Sequence, residues 1–258
     1  MVSSVLAPVQ QRGREALQRL GLPTRKQEAW RLTDLKRLEA LATLPEVSEI
    51  SDPSMPEVSD GVTRLVLGGQ RDPLDGVSLP EGVSPLTDAE LNRSLGQTLD
   101  HCGCAEAWPV ELNHAHSQHV LALRVCGKVP ALELVLASGV GLTATRVLLL
   151  LEDNAELELL QVIPSGSSSS DGPCAHSHVM EAHLGQNARL RHGVLASGSG
   201  DASLMVHLAI EQEPSSHYGL TSVCRGWRFG RFDPRVLQLE GQATTGIHGL
   251  SLTTADEQ

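Results

Sequence analysis

From about residue 116 onward the hydropathy of this chain repeats every second residue, which restricts that half to stacked or paired strands. Val120, Ala122 and Arg124, then Leu132, Leu134 and Leu136, alternate with their neighbours along short runs. Gly127-Lys128-Val129-Pro130 and Ser138-Gly139 punctuate them. Residues 144–163 read as two strands joined at Asp153-Asn154, and residues 178–196, 203–213, 217–228 and 235–252 continue the pattern. A weak internal echo suggests coils laid on coils. Asp153-Asn154-Ala155, Gln186-Asn187-Ala188 and Gly241-Gln242-Ala243 each place a tight-turn residue before a small alanine and a strand. Ala155 and Ala188 stand 33 residues apart, Ala188 and Ala243 55 apart, so the repeat is irregular. A solenoid tolerates unequal corners because each coil buries its apolar face on the next. A β-sandwich gives similar strand spacing.

The core implied by this half is aliphatic. The chain is 40% hydrophobic but only 2% aromatic. Ladders of Leu, Val, Ile and Ala in a solenoid interior accommodate that composition.

The first 115 residues differ. Residues 8–38 read as two or three short helices, and Gly21 is expected at the left-handed C-cap of the first. Thr24 with Gln27 has the form of a capping box opening the next helix. Residues 44–60 carry three prolines and read as a linker. Residues 62–69 form a strand ended by glycines. Thr87-Asp88-Ala89-Glu90 is a second capping box, with Leu91 and Leu95 on one side of its helix, and a broken helical stretch runs on towards His114. The expected organisation is a mixed, mainly helical region over 1–115 and a β core over 116–258. Ser165 to Gly172 is a flexible polar insertion.

The formal net charge of −11 argues against nucleic acid or anionic membrane as a main partner. The charge is uneven: residues 12–37 hold eight basic and three acidic residues, and residues 44–106 hold three basic and twelve acidic. Five cysteines at irregular spacing, no apolar leader and no apolar run of membrane length point to a soluble protein with free thiols, hence to the cytoplasm.

Three clusters could in principle hold a metal. His101-Cys102-Gly103-Cys104 offers soft ligands but lacks the second pair that a tetrahedral site needs. His114, His116 and His119 lie close; on a strand His114 and His116 share a face, on a helix His116 and His119 do. The H-x-H element is cupin-like, although residues 120–127 supply no Glu. His176 and His178 would share a strand face, with His183 nearby. No G-x-S-x-G, P-loop or H-E-x-x-H pattern occurs. No catalytic, cofactor-binding or metal residue is therefore assigned. A small cupin-like metal enzyme using His114 and His116 stands as the alternative reading.

The string Gly21-Leu-Pro-Thr-Arg-Lys-Gln-Glu-Ala-Trp-Arg-Leu-Thr-Asp-Leu-Lys-Arg-Leu38 resembles the N-terminal signature of the SufD branch of the SufB/SufD family, scaffold subunits of the SUF iron–sulfur cluster assembly machinery. Helix-capping chemistry explains Gly21, Thr24 and Gln27 in it, but not Trp30 to Asp34. Further resemblances are Leu112-Asn113-His114-Ala115, Leu150-Leu151-Glu152, Gly185-Gln186-Asn187-Ala188, and Arg231, Asp233, Leu239, Gly241, Ala243 and Gly249-Leu250. Together they run from about residue 15 to the end.

The resemblance implies a right-handed parallel β-helix preceded by helices and followed by a C-terminal helical domain. It implies a non-enzymatic scaffold that pairs with SufB through the β-helix and works with the ATPase SufC. An iron–sulfur cluster would sit transiently at the SufB–SufD interface, with none held firmly by this chain. Family members continue well beyond the point matching Gln258, so the chain is expected to be a truncated member. The late histidine implicated in cluster assembly and the helical domain that docks SufC fall in the missing part. The histidine's role is carried to no residue here, and His248, on an earlier strand, is not its counterpart.

Overall fold

The computed structural model describes residues 5–47, 50, 55, 57–68, 72–165 and 172–254. Much of the linker and all but the ends of the serine-rich insertion lie outside these. Helices α1 (Leu6–Leu20) and α2 (Leu35–Ala42) flank a single 3-10 turn, Glu28–Trp30. Strands β1 (Thr63–Leu67) and β2 (Val83–Pro85) precede helices α3 (Asp88–Ser94), α4 (Gln97–His101) and α5 (Trp108–His116). Ten strands follow: β3 (Val120–Val125), β4 (Leu132–Leu136), β5 (Gly141–Leu151), β6 (Glu156–Pro164), β7 (Cys174–Leu184), β8 (Arg189–Ser197), β9 (Ser203–Gln212), β10 (His217–Arg225), β11 (Phe229–Gln238) and β12 (Thr244–Leu252).

The strands make two six-stranded sheets, ordered β1-β4-β6-β8-β10-β12 and β11-β9-β7-β5-β3-β2. Every pairing is parallel except β2 with β3. From β3 on, successive strands alternate between the sheets, and from β5 on each lies beside the strand two places earlier. The expected strands at 144–163 are β5 and β6, which sit in different sheets rather than bonding to each other. The run expected over 178–196 breaks at Gly185, where the chain crosses from β7 to β8.

Parallel register aligns equivalent side chains from strand to strand. Leu123, Leu149, Ala182, Ile210 and Val236 form one inward row across five strands. Leu132 and Leu159, and Leu157 and Leu190, are paired on the opposite sheet. These rows meet between the sheets in one aliphatic core, joined by Tyr218 and Trp227. Period two thus reflects a face buried against the other sheet.

The turns between sheets are also stacked. Asn154, Asn187, Ser215 and Gln242 all take positive φ, 62°, 59°, 61° and 74°. The Asn187 side chain donates to Asn154 Oδ1 at 3.3 Å, and Ser215 Oγ donates to Gln242 Oε1 at 3.4 Å. Ser215 fills the gap in the sequence echo and divides its 55-residue interval. A serine in this conformation leaves no glycine or asparagine signal.

The helices cover the outer face of the β11-to-β2 sheet. Leu142, Ala175, Met205 and Phe229 pack against Trp30, Leu38, Leu41, Trp108 and Leu112. Val179 and Ala209 meet Leu99, Cys104 and Val110, while Ala122 and Leu148 meet Val5 and Leu91. The second capping box forms as expected: Thr87 accepts from the Glu90 amide and Glu90 accepts from the Thr87 amide. The Thr87 amide and the Thr87 hydroxyl, both donating to the carboxylate, together with Arg124 at 2.6 Å, draw the Glu90 carboxyl down to about 2. The first box forms only by half. Thr24 N donates to Gln27 Oε1 at 2.9 Å, but no helix starts there. Helix α2 begins ten residues later, where Asp34 accepts from the amides of Lys36 and Arg37. Gly21 has positive φ (62°) with ψ −166°, so it ends α1 by leaving the helix rather than by a left-handed cap.

Truncating Leu149, fully buried in the inward row, should destabilise the fold by about 2–5 kcal/mol as Leu149→Ala. Leu160→Ala on the exposed face should cost well under half of that. Urea unfolding of both variants checks the pair; equal losses would contradict the assigned inward and outward faces.

Candidate interaction faces and the polar interior

The Gly21–Leu38 string is a clasp. Its 3-10 turn carries Trp30 inward, where it meets Trp108 edge to face at 6.0 Å. Arg231 of β11 lies over the Trp30 ring, 4.2 Å from its centre, and donates to Ala29 O at 2.9 Å. Asp34 caps α2 and holds Arg37, which reaches Arg228 O at 3.0 Å. Trp30 and Asp34, unexplained by capping of the preceding turn, thus fasten the N-terminal region to the far end of the sheet.

The seam between helices and sheet is polar. Arg146 of β5 and Glu181 of β7 pair at 2.7 Å, both essentially inaccessible. The Glu181 carboxylate also accepts from Gly96 N and Leu99 N at the start of α4. Asn113 of α5 donates to the carbonyls of Thr145 and Ser177. His114 sits between Arg12 (2.9 Å) and Glu111 (3.0 Å). Burial, reinforced by Arg146 and Arg12, holds His114 far below the usual imidazole range, while burial raises Glu111.

These positions correct the cupin-like reading. His114 and His116 lie on a helix, not a strand. His114 is enclosed in the seam, whereas His116 turns the other way to Glu46 at 2.9 Å. His119 lies past the end of α5. The pair therefore does not share a face, and the helical pairing of His116 with His119 does not form. The cysteines of the His101 cluster are spent on the backbone: Cys102 Sγ donates to Ile210 O and Cys104 Sγ to Leu99 O. Burial pushes their thiols up to about 11 and about 12, the opposite of an activated thiolate. His101 instead meets Glu211 at 2.8 Å, with His183 at 3.9 Å from the same carboxylate. Among the described residues no group of three or more His, Cys, Asp or Glu is arranged to hold a metal.

His176 and His178 do share a face, and it is the interior. Thr145 Oγ1 lies 2.9 Å from His176 Nε2 and 2.9 Å from His178 Nδ1. His178 Nε2 meets Gln161 Nε2 at 3.1 Å; Gln161 Oε1 meets His192 Nε2 at 2.9 Å; His192 Nδ1 meets the Tyr218 hydroxyl at 3.1 Å. Burial holds His176 and His192 down to about 3, His178 well below its ordinary value, and Tyr218 up. Three neutral imidazoles thus cross the core. Gln161 and His192 had a signal in the sequence: each is a polar residue at the inward parity of an otherwise aliphatic strand.

The second sheet's outer face is largely bare. Val66, Val135, Val162, Leu195, Val223 and Leu250 form one aliphatic row across all six strands. It is covered at Val135 and exposed at Leu195 (41%) and Leu250 (53%). Beside it Gly193, Gly219 and Gly246 leave a shallow trench of about 430 Å³, edged by Arg191 and His248. His248 projects from β12 on this face, in register with Thr221. Flat, aliphatic and poor in charge at its centre, the face is suited to another protein rather than to a small substrate.

Comparison with known proteins finds likeness to one family model and one curated relative. A family model described as the SufBD core domain of SUF-system FeS cluster assembly matches residues 135–258. An iron–sulfur cluster assembly SufBD family protein of Synechocystis is 23% identical over 282 aligned residues. That alignment takes in 96% of this chain and 60% of the relative, so the chain spans about three fifths of its length. No helix among the described residues is long and apolar enough to cross a membrane.

The buried histidines make stability depend on pH with a definite sign. Their folded values lie below the unfolded value of about 6.5, so protons bind the unfolded chain more tightly. The contribution is complete above pH 6.5 and is lost as pH falls towards 3, by at most about 1.4 kcal/mol per unit for each histidine. Urea unfolding should show lower stability at pH 5 than at pH 7, with the difference reduced in His192→Gln. Equal wild-type stabilities at the two pH values would contradict neutral burial.

Proposed function

We propose that this chain is a non-enzymatic, SufD-type scaffold for iron–sulfur cluster assembly. In this reading the stacked strands wind as a right-handed parallel β-helix over 116–258, with the residues to 115 as a helical collar. The observation that carries the proposal is the match of residues 135–258 to the SufBD core, a region whose described residues here form stacked parallel strands. Two features support it. The sequence signature from Gly21 to Leu38 has a structural purpose, fastening the collar to β11. Of the residues in the three candidate metal clusters, His114 is committed to the seam, Cys102 and Cys104 to backbone carbonyls, His176 and His178 to the core, and His116 and His101 pair with Glu46 and Glu211.

The proposed partners are SufB, through the β-helix, and the ATPase SufC, with a cluster passing transiently between SufB and SufD as cargo. The bare aliphatic face offers a surface for protein contact of the kind a scaffold needs. The proposed place of action is the cytoplasm. The match to only part of the relative supports the further proposal that the chain is a partial form of the scaffold.

Co-expression with SufB and SufC of the same organism, with a tag on this chain, should recover SufB in stoichiometric amount when the chain is extended to the length of its relative. Failure of that extended form to retain SufB would overturn the assignment. Retention of SufB by the extended form alone would place the contact beyond residue 258.

A further inference from the structure

Thr145, Gln161, His176, His178, His192 and Tyr218 come from five strands and meet in the core. We infer that they form one directional hydrogen-bond relay, ending in a seat for a single small neutral hydrogen-bonding molecule, water, between His176 and Thr143.

Gln161 sets the direction. Its Nε2 lies 3.1 Å from His178 Nε2 and 3.4 Å from Met180 Sδ. A thioether can only accept, so the amide nitrogen faces these two atoms and donates to both. Gln161 Oε1 then accepts from His192 Nε2–H, which leaves His192 Nδ1 to accept from the Tyr218 hydroxyl. On the other side His178 Nε2 is an acceptor, so His178 carries its proton on Nδ1 and donates it to Thr145 Oγ1. In the relay we infer, the one hydroxyl hydrogen of Thr145 goes to His176 Nε2, 2.9 Å away. His176 must therefore carry its proton on Nδ1. Every donor from Tyr218 onward has an acceptor until that last N–H.

His176 Nδ1 is buried and has no hydrogen-bond partner among the described residues. The same holds for Thr143 Oγ1. Thr143 and His176 are register partners on β5 and β7, and both face inward. Adjacent strands lie about 4.8 Å apart, a span one water bridges with an ordinary bond to each side. A water there accepts from His176 Nδ1–H and donates to Thr143 Oγ1, which completes the relay. Among the described residues no inward-facing side chain of either sheet carries a formal charge, so nothing there would compensate an ion. Both partners are neutral, and the occupant is neutral too.

The test combines a high-resolution crystal structure of the whole chain with nitrogen-15 NMR of labelled histidine at neutral pH. The expected results are one ordered water within hydrogen-bond distance of His176 Nδ1 and Thr143 Oγ1, with Nδ1–H tautomers at His176 and His178 and an Nε2–H tautomer at His192. Thr143→Val should lose the water, and Thr143→Ser should keep it. An Nε2–H tautomer at His176, empty density between the two residues in a map that orders other interior waters, or a water that survives Thr143→Val would each overturn the proposal. If Thr143→Val does not fold, the wild-type map and tautomers decide it.

Discussion

Parallel, in-register pairing is the constraint from which the rest of this structure follows. Once β5, β7 and β9 lie side by side with Thr145, His178 and Val206 aligned, any residue facing inward is committed to a row. An aliphatic row needs only aliphatic neighbours, as in Leu123, Leu149, Ala182 and Ile210. A polar residue needs a polar partner in the next strand or across the core, since water is excluded. One histidine at 178 therefore calls for Thr145 beside it and Gln161 opposite, and Gln161 in turn for His192. The interior relay is the consequence of putting polarity inside such a lattice, not a separate element added to it.

The two outer faces obey different rules. Over the β11-to-β2 sheet the helices dock through charge as well as apolar surface. Arg146 pairs with Glu181 in the seam, and Arg12 and Glu111 flank neutral His114. Buried ion pairs add little net stability over apolar packing, but breaking one leaves a costly unpaired charge. The seam therefore fixes where the helices sit more than how strongly they bind. Among the described residues the other sheet carries no helices, and its aliphatic row remains partly exposed. Parallel sheets are normally covered on both faces. An uncovered one leaves apolar area of the kind that protein contacts bury.

The sequence made this division legible in some places and hid it in others. Alternation of Leu132, Leu134 and Leu136 and the Asn-Ala turns at 154 and 187 pointed to stacked strands, because period and turn chemistry are local properties. The Thr87 box formed for the same reason. The Thr24 box failed because a tertiary demand overrode it: Trp30 must reach Trp108, and a helix starting at Thr24 would not deliver the 3-10 turn that carries it there. Ser215 was invisible because its positive φ is imposed by stacking on Gln242 rather than by its own preference. His114 and His116 looked like a chelating pair because spacing alone does not tell strand from helix; α5 turns one into the seam and the other out to Glu46.

The same physics sets the protonation of the buried cysteines and histidines. Cys102 and Cys104 are pushed towards the thiol form by burial, and His114, His176, His178 and His192 towards the neutral imidazole. General acid–base and nucleophilic chemistry at neutral pH need the reverse, groups poised to exchange protons near the working pH. Each of these side chains has instead been given a fixed hydrogen-bond role that a gained or lost proton would break. What the fold leaves free is surface: the aliphatic row, the glycine trench and the exposed rim of charges around them.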